Sequence, residues 1–154
     1  MEQDEKIKNN QLIIEFLGGA IEDKEIYGGL IEPATNIPHI TSWGVGSGGH
    51  SWIPIRLINY NSSWDLLMPV IEKIEGLKYN NSFNLVSNVE VELYQNSCKI
   101  RIPNIKDGYN YMYAEYYNYL LESYHKKSTK LESAYLTVIE FIKWYNDNKF
   151  VFVD

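Results

Sequence analysis

The sequence predicts a mixed α/β (α+β) fold, a small antiparallel or mixed sheet flanked by helices, in one domain spanning residues 1–154. Three observations predict it. Apolar residues recur at helical spacing in three separate stretches, and a strict apolar/polar alternation marks a β-hairpin between residues 83 and 103. The chain length of 154 residues, 45% hydrophobic and 22% charged, suits one core that needs neither a disulfide nor a metal staple.

The elements follow in order. Residues 1–8 are polar and charged, and disorder is expected there. Residues 8–17, KNNQLIIEFL, read as a short helix with Leu12, Ile13, Phe16 and Leu17 as its apolar stripe. Asn9 or Asn10 can cap it, and Gly18-Gly19 ends it. Residues 20–51 hold many glycines with Pro33 and Pro38, and read as a Gly/Trp loop insertion with one short strand near 26–31. Residues 52–59, WIPIRLIN, read as a strand; Pro54 lacks a backbone donor, so the strand is an edge or starts after it.

Residues 62–77 read as a helix started by Ser62 and Asp65, with Leu66 or Leu67, Val70, Ile71 and Ile74 buried and a kink expected at Pro69. In the hairpin, Val89, Val91 and Leu93 share one face, while Glu90 and Glu92 meet Lys99 and Arg101 across the strands. Gln95-Asn96-Ser97 makes its turn, Cys98, Ile100 and Ile102 return, and Pro103 is expected to stop it. Residues 105–127 read as a Tyr-rich insertion: Tyr113, Tyr116, Tyr117, Leu120 and Leu121 have helical spacing, and Tyr109, Tyr111 and Tyr113 fit an extended chain equally well. Residues 129–147 form the clearest helix, with Thr129 and Glu132 as a capping box. The tail FVFVD is expected to add a strand or dock on the core.

Composition narrows the function classes. The formal charge of −6 and the presence of only Arg56 and Arg101 as arginines argue against duplex nucleic acid as a partner. The single cysteine, Cys98, excludes a disulfide within the chain and a multi-cysteine zinc site, and points to a reducing cytoplasm. The start MEQDEKIKNN has no apolar core of a signal peptide, and no apolar run approaches the roughly 20 residues a bilayer needs, so no membrane partner is expected.

Two segments carry candidate chemistry. Gly44-Val45-Gly46-Ser47-Gly48-Gly49-His50 can bring backbone amides close to an anion, and Trp43 and Trp52 flank it. It is not a P-loop, since no Gly-Lys-Ser/Thr follows. It is not a dinucleotide fingerprint, since a strand rather than a helix follows. A turn between elements remains the other reading. The tyrosines, Tyr109, Tyr111 and Tyr113 first, read either as a stacking wall for a base or as a self-association face. His39, His50 and His125 have no metal spacing, so no metal or other cofactor is expected. Cys98 lies in an alternating strand and reads as a small buried hydrophobe.

Three stretches together resemble a group of small bacteriophage proteins: NQLIIEFLGG, YNSSWDLLMPVIEKIE and KLESAYLTVIEFIKWYNDN. The matching positions include Asn10, Glu15, Phe16 and Gly18, then Tyr60, Trp64, Asp65, Met68 and Pro69, then Glu132, Tyr135, Glu140, Trp144 and Tyr145. That group is similar to phage proteins with an α-β-α (ABA) sandwich domain. The resemblance covers about a third of the chain closely. It implies the sandwich fold and a phage origin, hence the cytoplasm of an infected bacterium, and it carries no activity. The Gly/Trp loop and the Tyr-rich stretch are longer here than in the short members, and such additions are where function is grafted onto a scaffold.

The reading favoured is a non-enzymatic binding protein that sequesters a host nucleotide immune signal. Trp43, Trp52, Tyr109, Tyr111 and Tyr113 would stack on bases, while Gly46, Gly48, Gly49, His50, Arg56 and Arg101 would hold phosphates or polar groups. A homo-oligomer would let Tyr-rich segments share pockets. The alternatives are a protein-binding inhibitor of a host defence effector such as a nuclease or CRISPR complex, or an accessory protein with no small-molecule ligand. An enzyme built on His50 or His125 has no supporting spacing.

Overall fold

The computed structural model describes residues 1–25, 28–31, 53–80, 86–104, 118–127 and 129–153. The fold is mixed α+β, with three α-helices and three antiparallel sheets of three strands each among these residues, rather than the one sheet expected. They fall into two compact units, Met1–Val70 and Ile71–Asp154, with the boundary inside the second helix.

Helix α1 (Gln3–Phe16) opens the first unit. It starts before the expected residue 8, so residues 3–8 are helical. Asp4 and Glu5 in its first turn complement the helix dipole, and Lys6 Nζ donates to Asn59 Oδ1 at 2.7 Å. Its buried side chains are Asn9, Asn10, Ile13, Ile14 and Phe16, so the two asparagines lie inside the helix instead of capping it. The end is a Schellman turn: Gly18 N–H donates to Glu15 O at 3.1 Å and Gly19 N–H to Ile14 O at 2.8 Å. Gly18 holds φ at +80°, a conformation glycine adopts without strain.

Strands β1 (Ile21–Glu22), β2 (Leu30–Ile31) and β3 (Ile53–Pro54) form an antiparallel sheet with β2 in the middle. Pro54 therefore sits on an edge strand, where its missing donor is tolerated. The expected strand over 52–59 is cut short, because the chain enters a 3₁₀ turn at Ile55–Leu57. The carbonyls of Ile55 and Ile58, which a longer strand would offer to a ladder, accept instead from Asn10 Nδ2 at 2.8 and 2.9 Å. Helix α2 (Trp64–Gly76) runs through Pro69 and buries Leu67, Val70, Ile71 and Ile74, an i, i+3, i+4, i+7 stripe.

In the second unit the chain over 86–93 serves two sheets. Strand β5 (Val86–Asn88) pairs with β4 (Lys78–Asn80), which also pairs with β9 (Phe152–Val153). Strand β6 (Glu90–Leu93) pairs with β7 (Ser97–Asn104), and β7 with β8 (Asn118–Lys126). Buried Val89 is the point of exchange, and its N–H donates to Leu77 O at 3.2 Å. The charged faces meet as expected, and the β6–β7 register sets Glu90 opposite Arg101 and Glu92 opposite Lys99; Ser97, expected in the turn, is the first residue of β7.

Two expectations fail here. Pro103 does not stop β7; the ladder slips register between Ile102 and Pro103 and continues to Asn104 opposite Asn118. A residue without N–H is accommodated by such an irregularity. Residues 118–126, which include Leu120 and Leu121 of the expected helix, form β8. Tyrosine suits strands, and the partner ladder of β7 overrides a spacing that fits a helix.

Helix α3 (Lys130–Asp147) packs on β7 and β8. Its start is the expected one, with Thr129 Oγ1 accepting from Glu132 N–H at 3.1 Å. Cys98, Ile100 and Ile102 are fully buried, and Thr137 Oγ1 donates to Cys98 O at 3.3 Å. The tail docks as expected: Phe152 in β9 lies 5.1 Å from the Tyr145 ring and 6.1 Å from Trp144, centroid to centroid. Among the described residues no helix is long and apolar enough to cross a membrane.

Candidate functional site

Helix α1 grips the chain on both sides of the β2–β3 ladder. On the incoming side Gln11 Nε2 donates to Gly28 O at 2.5 Å. Gly28 (φ +78°) lies against Ile7, where any Cβ would collide with the Ile7 side chain. On the outgoing side Asn10 bridges Ile55 O and Ile58 O, and Lys6 reaches Asn59. Between these grips Ile31 pairs directly with Ile53. The inserted chain is thus narrowed from 20–51 to 32–52, and its two ends meet on adjacent strands, about 5 Å apart.

Arg56 sits in the 3₁₀ turn just after that return and is half-buried. Next to it the chain buries polar groups. Asn10 and Tyr60 are fully buried, and Asn10 Oδ1, Tyr60 OH and Asn61 Oδ1 have no hydrogen-bond partner among the described residues. Burial pushes the Tyr60 hydroxyl far above its ordinary pKa, so it stays a protonated donor.

Arg101 belongs to the second unit and lies on the solvent-side row of β7. Its Nη2 lies 3.3 Å from Glu90 Oε2 and is also paired with Glu92, whose other oxygen accepts from the Tyr94 hydroxyl. A phosphate approaching Arg101 competes with two carboxylates already in place. Nearby, burial and the Glu90 charge push the Tyr79 hydroxyl up to about 12. The Tyr-rich segment is likewise bounded by a ladder: Asn104 pairs with Asn118, so the chain between β7 and β8 is 105–117, and 118–127 belongs to the scaffold.

Two further reactive groups lie in the second unit. Burial pushes the Cys98 thiol up to about 11, away from the thiolate a nucleophile needs. His125 Nε2 lies 2.5 Å from Glu140 Oε2 across β8 and α3. Among the described residues there is no cluster of three side chains able to hold a metal ion.

Of the residues expected from sequence, Arg56 and Arg101 are placed, in different units. Trp43, Gly46, Gly48, Gly49, His50 and Trp52 lie outside the described residues, as do Tyr109, Tyr111 and Tyr113. Asn10, Tyr60 and Asn61 were not foreseen. A signal for Asn10 existed: it shares the stripe of Ile13, Ile14 and Leu17 at i+3, i+4 and i+7, where a polar residue is out of place. The chain matches no family model, no curated protein and no solved structure.

Proposed function

We propose that the protein is a phage-encoded, non-enzymatic binding protein that sequesters a host nucleotide immune signal in the cytoplasm of the infected bacterium. One observation carries this reading: the segment 32–52 leaves and rejoins the scaffold at the paired residues Ile31 and Ile53, with Arg56 directly after the return. A segment whose two ends are pinned by a ladder and by α1 is placed to carry binding residues on a rigid frame. In this reading Gly46, Gly48 and Gly49 bring backbone amides to phosphate, Arg56 adds charge, and Trp43, His50 and Trp52 cover the base. Tyr109, Tyr111 and Tyr113, on the segment between β7 and β8, supply further stacking in a homo-oligomer. Arg101 contributes only if a ligand displaces Glu90 and Glu92.

Binding is favoured over catalysis by the Cys98 thiol, buried and raised to about 11, away from the thiolate a nucleophile needs. The test is thermal unfolding with cyclic oligonucleotides and ADP-ribose-type nucleotides in excess. A ligand at about a hundredfold above its Kd adds roughly 2.7 kcal/mol of stability, a shift of several degrees. No shift with any of them contradicts the proposal. A protein-binding inhibitor of a host defence effector is the second reading, favoured by Phe150, which is 84% exposed beside the Phe141–Trp144–Tyr145–Phe152 aromatic cluster.

A further inference from the structure

Lys126, Lys127 and Lys130 lie within five positions at the turn from β8 into α3, and all three are exposed. None of them is ion-paired among the described residues. The turn that carries them is fixed. Lys127 N–H donates to Asn96 O at 3.0 Å and to Ser133 Oγ at 3.1 Å, and Ser133 Oγ donates to Asn96 O at 2.7 Å. The placement runs against local electrostatics. The first turn of a helix carries partial positive charge, which repels lysines, and the three also repel one another. Glu132 is the acid that the first turn of α3 sets beside them. In a chain of net charge −6 such a cluster is no by-product of composition. An acidic surface laid on this corner removes the repulsion.

The chain itself carries such a surface. Glu2, Asp4 and Glu5 at the start of α1 are exposed, and none is ion-paired among the described residues. Lys6, the next residue, is bonded to Asn59. We infer that Lys126, Lys127 and Lys130 dock the acidic start of α1 of a second copy of this chain. The contact sets the second unit of one copy against the first unit of the next. It is heterologous, so its repetition closes a ring or extends a chain. It names the interface of the homo-oligomer in the proposed function and requires no nucleotide. A single exposed ion pair contributes little, but three charges on a fixed corner against three on one helix turn form a network. The patches also set orientation, since copies of net charge −6 repel where the patches do not meet.

The experiment measures the mass of the intact protein by sedimentation at about 0.1 M and about 1 M salt, where charges are screened beyond ~10 Å and ~3 Å. Wild type is expected to self-associate at the lower salt and to do so at least about tenfold more weakly at the higher. Lys126→Glu/Lys127→Glu/Lys130→Glu and Glu2→Lys/Asp4→Lys/Glu5→Lys should each be monomeric. Their equimolar mixture should regain the wild-type mass, because each variant then meets the opposite sign at both patches. Diluted to monomer, the lysine variant should melt at or above wild type, since the repulsion at the start of α3 is gone. Melting several degrees lower gives the lysines a structural role and overturns the inference. So does a wild type that is monomeric at both salts, an oligomer that survives both sets of substitutions, or a mixture that stays monomeric. Titrations with ADP-ribose and cyclic di-GMP run in parallel. A lysine variant that keeps its oligomeric mass and loses nucleotide affinity puts phosphate on the patch and overturns the docking. Masses as expected without nucleotide binding contradict the proposed function and leave the docking standing.

Discussion

Replacing Asn10 by alanine isolates the grip of α1 on the chain after β3. The wild-type amide serves the carbonyls of Ile55 and Ile58, and the residue is fully buried. In Asn10→Ala the Ile58 carbonyl loses the amide that serves it, while the Ile55 carbonyl keeps the Ile58 N–H at 3.1 Å. A buried group so stranded costs about 1–3 kcal/mol. Removal of the unmatched Oδ1 offsets part of this, so the net loss is roughly 1–2 kcal/mol, a sizeable share of the ~5–15 kcal/mol that holds a domain. With a urea slope of ~1–3 kcal/mol per molar, the unfolding midpoint falls by about 0.5–1 M. Asn10→Asp should be worse than alanine, because a carboxylate then faces two carbonyls. Asn59→Ala, which removes only the exposed bond from Lys6, should change stability by no more than ~0.5 kcal/mol. If Asn10→Asp unfolds at or above the midpoint of Asn10→Ala, or if Asn10→Ala matches Asn59→Ala, the bridging role is wrong.

Three further predictions use the same assays. Gly28→Ala should lose well over 2 kcal/mol, since a positive φ alone costs ~1–2 kcal/mol and its Cβ also strikes Ile7; Gly18→Ala, at φ +80° with nothing within 4 Å, should lose only the backbone part. Equal losses at the two glycines in urea unfolding would show that the Ile7 contact is unimportant. Thr129→Ala should cost about 1 kcal/mol through the lost bond to Glu132 N–H, with Thr129→Ser restoring most of it; identical melting of all three proteins would discount the cap. Stability should decline in alkali: the folded protein holds the Cys98 thiol near 11 against an ordinary 9.0 and the Tyr79 hydroxyl near 12 against 10.0. Both pKa values are raised, so this stability is complete below about pH 9 and fades as pH climbs toward 11–12, by roughly 1.4 kcal/mol per unit for each group. Cys98→Ala should flatten the earlier part of that decline, and a urea midpoint unchanged from pH 8 to 11 in wild type would contradict it.

The parts of the fold that could be read in advance were those with local signals. The alternation of Val89 to Leu93 and Cys98 to Ile102, joined by a short turn, marked a hairpin whose Glu90/Glu92 face meets Lys99 and Arg101, and that pairing is present. Thr129 with Glu132 marked the start of α3 because a cap acts within one turn. The misses are contacts distant in sequence. Residues 3–8 show no apolar stripe, and this part of α1 is tied down by Lys6 to Asn59 and by Ile7 against Gly28. Leu120 and Leu121 fit a helix until β7 offers a ladder. Strand β3 stops early because the chain enters the 3₁₀ turn at Ile55–Leu57, whose flanking carbonyls a residue 45 positions away, Asn10, also holds. At the candidate site, Arg56 and Arg101 stood out by residue type, and the hairpin alternation already set Glu90 and Glu92 against the strand that carries Arg101, where both pair with it. Asn10, Tyr60 and Asn61 escaped because their unmatched atoms exist only once the chain is folded.

Sequestration is tested most directly by native mass spectrometry of the protein purified from infected bacteria, with the released small molecules identified afterwards. The account predicts a homo-oligomer carrying intact nucleotide. A bare polypeptide, or a stoichiometric host protein in place of the nucleotide, would contradict it.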